Sequence, residues 1–144
     1  MIETQVAMLM RLGEATRRST GLTPHRALDR AAYVILRHLQ EHGPQNVTAL
    51  ADRLNLDGST VTRQVTALAN AGLAVRRPDP SDGRGTVIEP TASGLQQVDA
   101  VARARRDLYD RVLAGWSTED RQGLAAALER FNASVETFMR APRP

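Results

Sequence analysis

Residues 46–94 read NVTALADRLNLDGSTVTRQVTALANAGLAVRRPDPSDGRGTVIEPTASG, and the punctuation of that stretch decides the fold. Asn46 offers an N-cap to a short helix in which Val47, Leu50, Ala51 and Leu54 face inward. Asp57-Gly58 supplies a turn and the cap of the next helix, which runs to about Ala71 with Val61, Val65 and Leu68 as its buried row. Gly72 is placed to end that helix in a left-handed conformation. Leu73-Ala74-Val75 then alternates like a strand, Pro78 to Gly85 forms a polar loop, and Thr86-Val87-Ile88 is the returning strand. The second helix is about as wide as a DNA major groove, and a hairpin arm beside it can reach a neighbouring groove.

Working outward, residues 2–18 carry Ile2, Val6, Leu9 and Leu12 or Gly13 at steps of three and four, an amphipathic helix broken by Gly21 to Pro24. Leu28, Ala32, Ile35 or Leu36, and Leu39 form the apolar face of another helix, with Asp29 in its first turn and Gly43-Pro44 at its end. Beyond the hairpin, Thr91 caps a long helix whose apolar row is read as Leu95, Val98, Ala102, Arg105 or Arg106, Tyr109, Val112 and Trp116. Ser117 caps the last helix, with Asp120 at its third position and Leu124, Leu128, Phe131, Val135 and Phe138 in one row. The outline is α-α-α-α-β-β-α-α, a mainly α single domain spanning 1–144.

Composition narrows the chemistry more than it names it. Aromatics are only 3 % of the chain, so its core rests on Leu, Val, Ala and Ile, which suits helix-on-helix packing. There is no cysteine, which removes disulfides, thiolate catalysis, cysteine-ligated zinc and thiol redox sensing. All 19 basic residues are arginine, as GC-rich coding would give, and the net charge is only +3. Asn46 to Pro90 holds Arg53, Arg63, Arg76, Arg77 and Arg84 against Asp52, Asp57, Asp79, Asp82 and Glu89, a sum of zero. Placement, not charge count, has to carry any nucleic-acid reading. The longest apolar run, Ala31 to Leu36, is too short to cross a bilayer, and Glu3 precedes Arg11, the reverse of a secretory signal. A cytoplasmic protein without membrane contact is expected.

Placement is informative on the second helix of the opening stretch. Stepping 100° per residue from Val61 puts Ser59, Arg63, Thr66 and Asn70 on the outer side, flanked by Thr60, Thr62 and Ala67. No acid occurs from Gly58 to Ala71, and the threonines are poor helix formers, unlike an ordinary solvated face. Arg63 is the side chain there able to grip guanine in two-point fashion. Arg76 and Arg77 open the hairpin loop and, with Arg84, surround Asp79 and Asp82, whose carboxylates can bond backbone amides and steady an arginine. Arg84, between two glycines, is free to extend into a narrow minor groove. A module for protein contact without DNA is the alternative, and it would show an apolar or acidic outer face. His38 and His42 stand four apart, but no third ligand is evident and no metal or cofactor is expected. No nucleophile–base pair or phosphate loop suggests an enzyme.

These residues resemble the MarR family of winged helix-turn-helix transcriptional regulators over 28 to 138. The resemblance lies in Leu50-Ala51, Ser59-Thr60-Val61-Thr62-Arg63, Leu68 followed by Gly72-Leu73, the run from Arg77 to Arg84, and Thr91 with Gly94. It implies a homodimer on a pseudo-palindromic operator, a repressor in expectation, with 28–90 as the DNA-binding part and 1–27 and 91–144 as dimerisation helices. It makes Ser59, Thr60, Thr62 and Arg63 groove contacts, Arg84 the wing-tip contact and Asp82 the brace of the wing. Thr66, Arg76 and Arg77 complete the expected DNA-facing set. It also implies a small-molecule effector near the junction of the two regions, for which Tyr33, His38, Tyr109 and Trp116 are candidates. Three departures stand out: Gly83 where a basic residue is usual, Pro90 for a leucine, and Asn70-Ala71 for a charged pair.

Overall fold

Side-chain caps set where most of the helices begin. In the computed structural model, which describes residues 1–18 and 28–142, the order is α1 (Ile2–Arg18), α2 (Arg30–His42), α3 (Val47–Leu54), α4 (Gly58–Asn70), β1 (Ala74–Pro78), β2 (Thr86–Pro90), α5 (Ala92–Val112) and α6 (Thr118–Arg140). The expected break at Gly21 to Pro24 lies outside the described residues. Asn46, Thr91 and Ser117 each accept a hydrogen bond from the amide three residues on, at 2.7, 3.0 and 3.0 Å. Such a bond is worth about 1 kcal/mol per helix. Asp29 does the same for Ala32 at 2.8 Å, so it caps α2 from outside instead of sitting in its first turn. Asp57 occupies the cap position of α4 without a side-chain bond, contrary to its expected capping role.

Left-handed residues end the helices of the opening stretch. Asn55 (φ 52°, ψ 46°) closes α3, and Gly72 (φ 72°) follows α4 as expected. The core gathers Ile35, Leu36 and Leu39 of α2, Leu50 of α3, Val61, Val65 and Leu68 of α4, Ala74 and Ile88 of the hairpin, and Val98 and Val101 of α5. Among the described residues no buried side-chain polar atom lacks a partner.

The two strands pair antiparallel from Ala74↔Pro90 to Pro78↔Thr86. Gln45 adds a bridge on the other side of β2, its amide and carbonyl bonding Ile88 at 3.2 and 2.8 Å. The start of α5 is pressed onto the hairpin base. Thr91 Oγ1 donates to the Gly72 carbonyl at 2.6 Å, and a Cβ on Gly94 would lie 2.0 Å from the Leu73 carbonyl oxygen.

Two further expectations need correction. The hairpin strand reaches Pro78, so Arg76 and Arg77 belong to β1 and not to the loop. Along α5 the buried row is Gly94, Val98, Val101 and Leu108, whereas Tyr109, Val112 and Trp116 are exposed. Leu95 and Ala102 are half-buried. Neither α1 nor α6 buries a single residue completely. They flank an open groove of about 390 Å³ lined by Ile2, Val6, Leu9, Leu124, Leu128 and Phe131, among others. Among the described residues no helix is long and apolar enough to cross a membrane.

Candidate nucleic-acid interface

The sequence of α4 divides it into two faces, and the packing follows. Val61, Val65 and Leu68 are buried, while Ser59, Thr62, Arg63 and Thr66 are exposed and Thr60 and Ala69 are half-buried. Arg63 makes no ion pair or side-chain hydrogen bond among the described residues, so its five N–H donors are available. Thr66 is already engaged. Its hydroxyl donates to the Thr62 carbonyl at 2.9 Å and accepts from Arg76 Nη2 at 3.0 Å. One lone pair remains for any further partner. Gln64, beside the buried row, turns to α2 and donates to Asp29 at 3.2 Å.

The hairpin arginines fall into three situations. Arg76 spans from β1 to Thr66 and ties the hairpin to α4. Arg77 pairs diagonally across the strands with Glu89 at 2.6 Å, which offsets its charge. Arg84 sits in the loop, its side chain unpaired among the described residues and its amide donating to Asp82 Oδ1 at 3.1 Å. Of the three, Arg84 is the one whose guanidinium has no partner among the described residues, since Arg76 is engaged by a neutral hydroxyl and Arg77 by a carboxylate.

Two aspartates shape the loop. Asp82 holds the Arg84 amide, and its carbonyl accepts from Gly85 at 2.9 Å. Asp79 Oδ1 accepts from both the amide and the hydroxyl of Ser81 at 2.9 and 2.8 Å, while the Asp79 amide donates to the Gly85 carbonyl. The Ser81 amide, then its hydroxyl, hold the Asp79 carboxyl below the ordinary aspartate range. Asp79 thus joins Asp82 as a brace of the loop, a role beyond the resemblance, although Asp two residues before Ser is the pattern of an Asx turn.

The four effector candidates do not share one environment. Tyr33 is half-buried with the Arg105 guanidinium 4.3 Å over its ring, and Tyr109 lies one turn further along α5. Trp116 stands exposed beyond the end of α5. His38 has other company: it bonds Gln45 at 3.2 Å and stacks on His42 at 4.3 Å between ring centroids. Arg105 joins this group from outside the four candidates; its signal in the sequence is an arginine falling within an otherwise apolar helical row.

Comparison with known proteins agrees with this geometry. The model of the MarR family matches residues 28–86. The HTH-type transcriptional regulator YxaD of Bacillus subtilis is 39 % identical over 105 residues, 73 % of each chain. The HTH-type transcriptional repressor NicR of Pseudomonas putida is 27 % identical over 139 residues, 94 % of this chain and 87 % of NicR. The solved structure of Bordetella bronchiseptica BpsR, whose DNA binding is regulated by 6-hydroxynicotinic acid, superposes with a TM-score of 0.75 at 18 % identity, covering 92 % of this chain and 93 % of BpsR.

Proposed function

Since the chain belongs to the MarR family of DNA-binding transcriptional regulators, we propose that it acts in the cytoplasm as a homodimeric repressor on a pseudo-palindromic operator. One observation carries the reading: α4 exposes a face of Ser59, Thr62, Arg63 and Thr66 beside a hairpin whose loop offers an unpaired Arg84. In this reading residues 28–90 are the DNA-binding part, and 1–27 with 91–144 are the dimerisation helices. Arg63 reads a guanine edge, Ser59, Thr60 and Thr62 contact bases or phosphates, and Arg84 enters the minor groove. Thr66 and Arg76 act mainly on one another, so their share of the DNA contact is the smaller one. Arg77 contributes little while Glu89 holds it, and Asp82 braces the loop.

A small-molecule effector lowers affinity by favouring a dimer whose two reading heads are misaligned; a bias of a few kcal/mol is enough. The regulation of BpsR's DNA binding by 6-hydroxynicotinic acid supports this part of the reading, and NicR, a repressor, supports the repressor part. Tyr33 under Arg105, with Tyr109 one turn further along α5, is a better candidate site than His38 or than Trp116 beyond the helix end, and its guanidinium suits an anionic aromatic ligand.

The test is a mobility-shift titration on the DNA flanking the protein's own gene. Arg63→Ala and Arg84→Ala should each weaken binding by about 1 kcal/mol or more with the fold intact. Unchanged affinity in both would reject the contact assignment. Absence of any shift with the wild type would favour a protein-contact module instead.

A further inference from the structure

We propose that Asp29 is a positioning residue that fixes the angle of the reading helix relative to α1, its single carboxylate joining the α1–α2 contact to Gln64 of α4. The inference rests on the assignment of α4 as the DNA-reading element and deepens it.

The links are consecutive. Glu14, near the end of α1, accepts from Arg30 Nη2 at 3.3 Å and also pairs with Arg17 at 3.7 Å. Arg17 Nη2 donates to the Leu28 carbonyl at 3.4 Å. Leu28, just before the cap, and Arg30, the first residue of α2, are thereby held to the end of α1, one on each side of Asp29. The Asp29 carboxylate then does two things at once. Oδ1 accepts the Ala32 amide at 2.8 Å and caps α2, while Oδ2 accepts Gln64 Nε2 at 3.2 Å. Gln64 lies about 60° from Val61 around the helix, at 100° per residue, so it faces α2 and not the outer side. The bond lies at the surface, so a rotation of the start of α2 under α1 strains it and biases the setting of Gln64 and of the opposite face that carries Arg63. Charge strengthens the bond, since a hydrogen bond to a carboxylate is about twice as strong as a neutral one.

The chain has no cysteine, so spin labels can be placed at will. A full-length Arg11→Cys, Asn70→Cys chain, diluted in unlabelled protein, reports the α1-to-α4 distance within one molecule by double electron–electron resonance. Each Gln64 or Asp29 substitution, made also in the unlabelled, cysteine-free chain, is scored for affinity to the flanking-DNA duplex over a scrambled duplex of equal length. Gln64→Ala should broaden the distance distribution and lower that ratio roughly fivefold, with its melting temperature lowered only slightly because the α2 cap is kept. Asp29→Ala should do the same while also melting earlier from loss of the cap. The double variant should be no worse in ratio than Asp29→Ala, because both remove one interaction. Asp29→Asn should fall between wild type and Asp29→Ala in distance width and ratio, since an asparagine caps well and the Gln64 amide can flip to meet it, but the bond loses its charge. A narrow wild-type distribution in Gln64→Ala overturns the proposal whatever the DNA result. A wild-type chain that does not discriminate the two duplexes indicts the functional reading instead, and the distance measurement still judges Asp29.

Discussion

Three arginines stand in one hairpin, and their partners give them different uses. With no protein group offsetting its charge, Arg84 should contribute about one unit to the log–log salt slope of DNA binding, and Arg84→Ala should remove it. Arg77, held 2.6 Å from Glu89, should contribute a smaller fraction, and Arg77→Ala should leave the slope nearly unchanged. Titrations at several salt concentrations distinguish the two; equal losses would mean that the Glu89 pair breaks on DNA. Gly83 offers the converse experiment. A Cβ there meets nothing within 4 Å, and its φ lies outside the left-handed range, so a side chain costs no strain. Gly83→Arg should raise DNA affinity and steepen the salt slope by about one unit. Asp79 sets a pH limit on the same loop. Its carboxyl is lowered by the Ser81 amide and hydroxyl, so the ordering it gives is fully present above the ordinary aspartate value. That ordering fades only as pH falls through the lowered value. The Ser81 amide resonance should follow this titration, and in Asp79→Ala it should not.

At the scale of elements, the junction between hairpin and α5 depends on a missing side chain. With 2.0 Å between the place of a Gly94 Cβ and the Leu73 oxygen, an added methyl would meet backbone, and neither helix start nor hairpin base can yield alone. Gly94→Ala should cost about 2–3 kcal/mol, read as an earlier thermal melt. Gly58→Ala, where a Cβ meets nothing within 4 Å, serves as the neutral control. The same elements show what a sequence can and cannot reveal. Asn46, Gly72, Thr91 and Ser117 announce their turns because capping and left-handed backbone are local chemistry. The α4 face is legible because Val61, Val65 and Leu68 leave its period unambiguous. Along α5, Ala102 and Tyr109 compete with Val101 and Leu108 one residue earlier, a rotation of about 100°, and only the packed neighbours choose between them. Arg76 and Arg77 resemble a turn because of their charge and the following proline, yet an exposed two-stranded hairpin tolerates both. Pairings such as Gln64 with Asp29, 35 residues apart, have no local signature at all.

The whole molecule leaves broad apolar rows uncovered at its ends. Ile2 is 75 % exposed, Leu9 58 %, Phe131 44 % and Phe138 77 %, on helices that bury nothing completely by themselves. Apolar surface removed from water contributes roughly 25 cal/mol per Å², so rows of this size gain several kcal/mol from a covering partner. In the proposed homodimer a second copy of the chain would satisfy that need with twofold symmetry and would set two α4 helices toward one duplex, where successive major grooves recur about every 34 Å. Sedimentation should therefore report a dimer at micromolar concentration. Phe131→Glu puts a charge into the α1–α6 groove, outside the core of α2 to α5, and should give a folded monomer by the same measurement. One reading head alone forfeits the second, effectively intramolecular contact, so that variant should lose on the order of a hundredfold or more in operator affinity. A monomeric Phe131→Glu that still bound the operator as tightly as wild type would show that pairing of the heads is not what recognition needs.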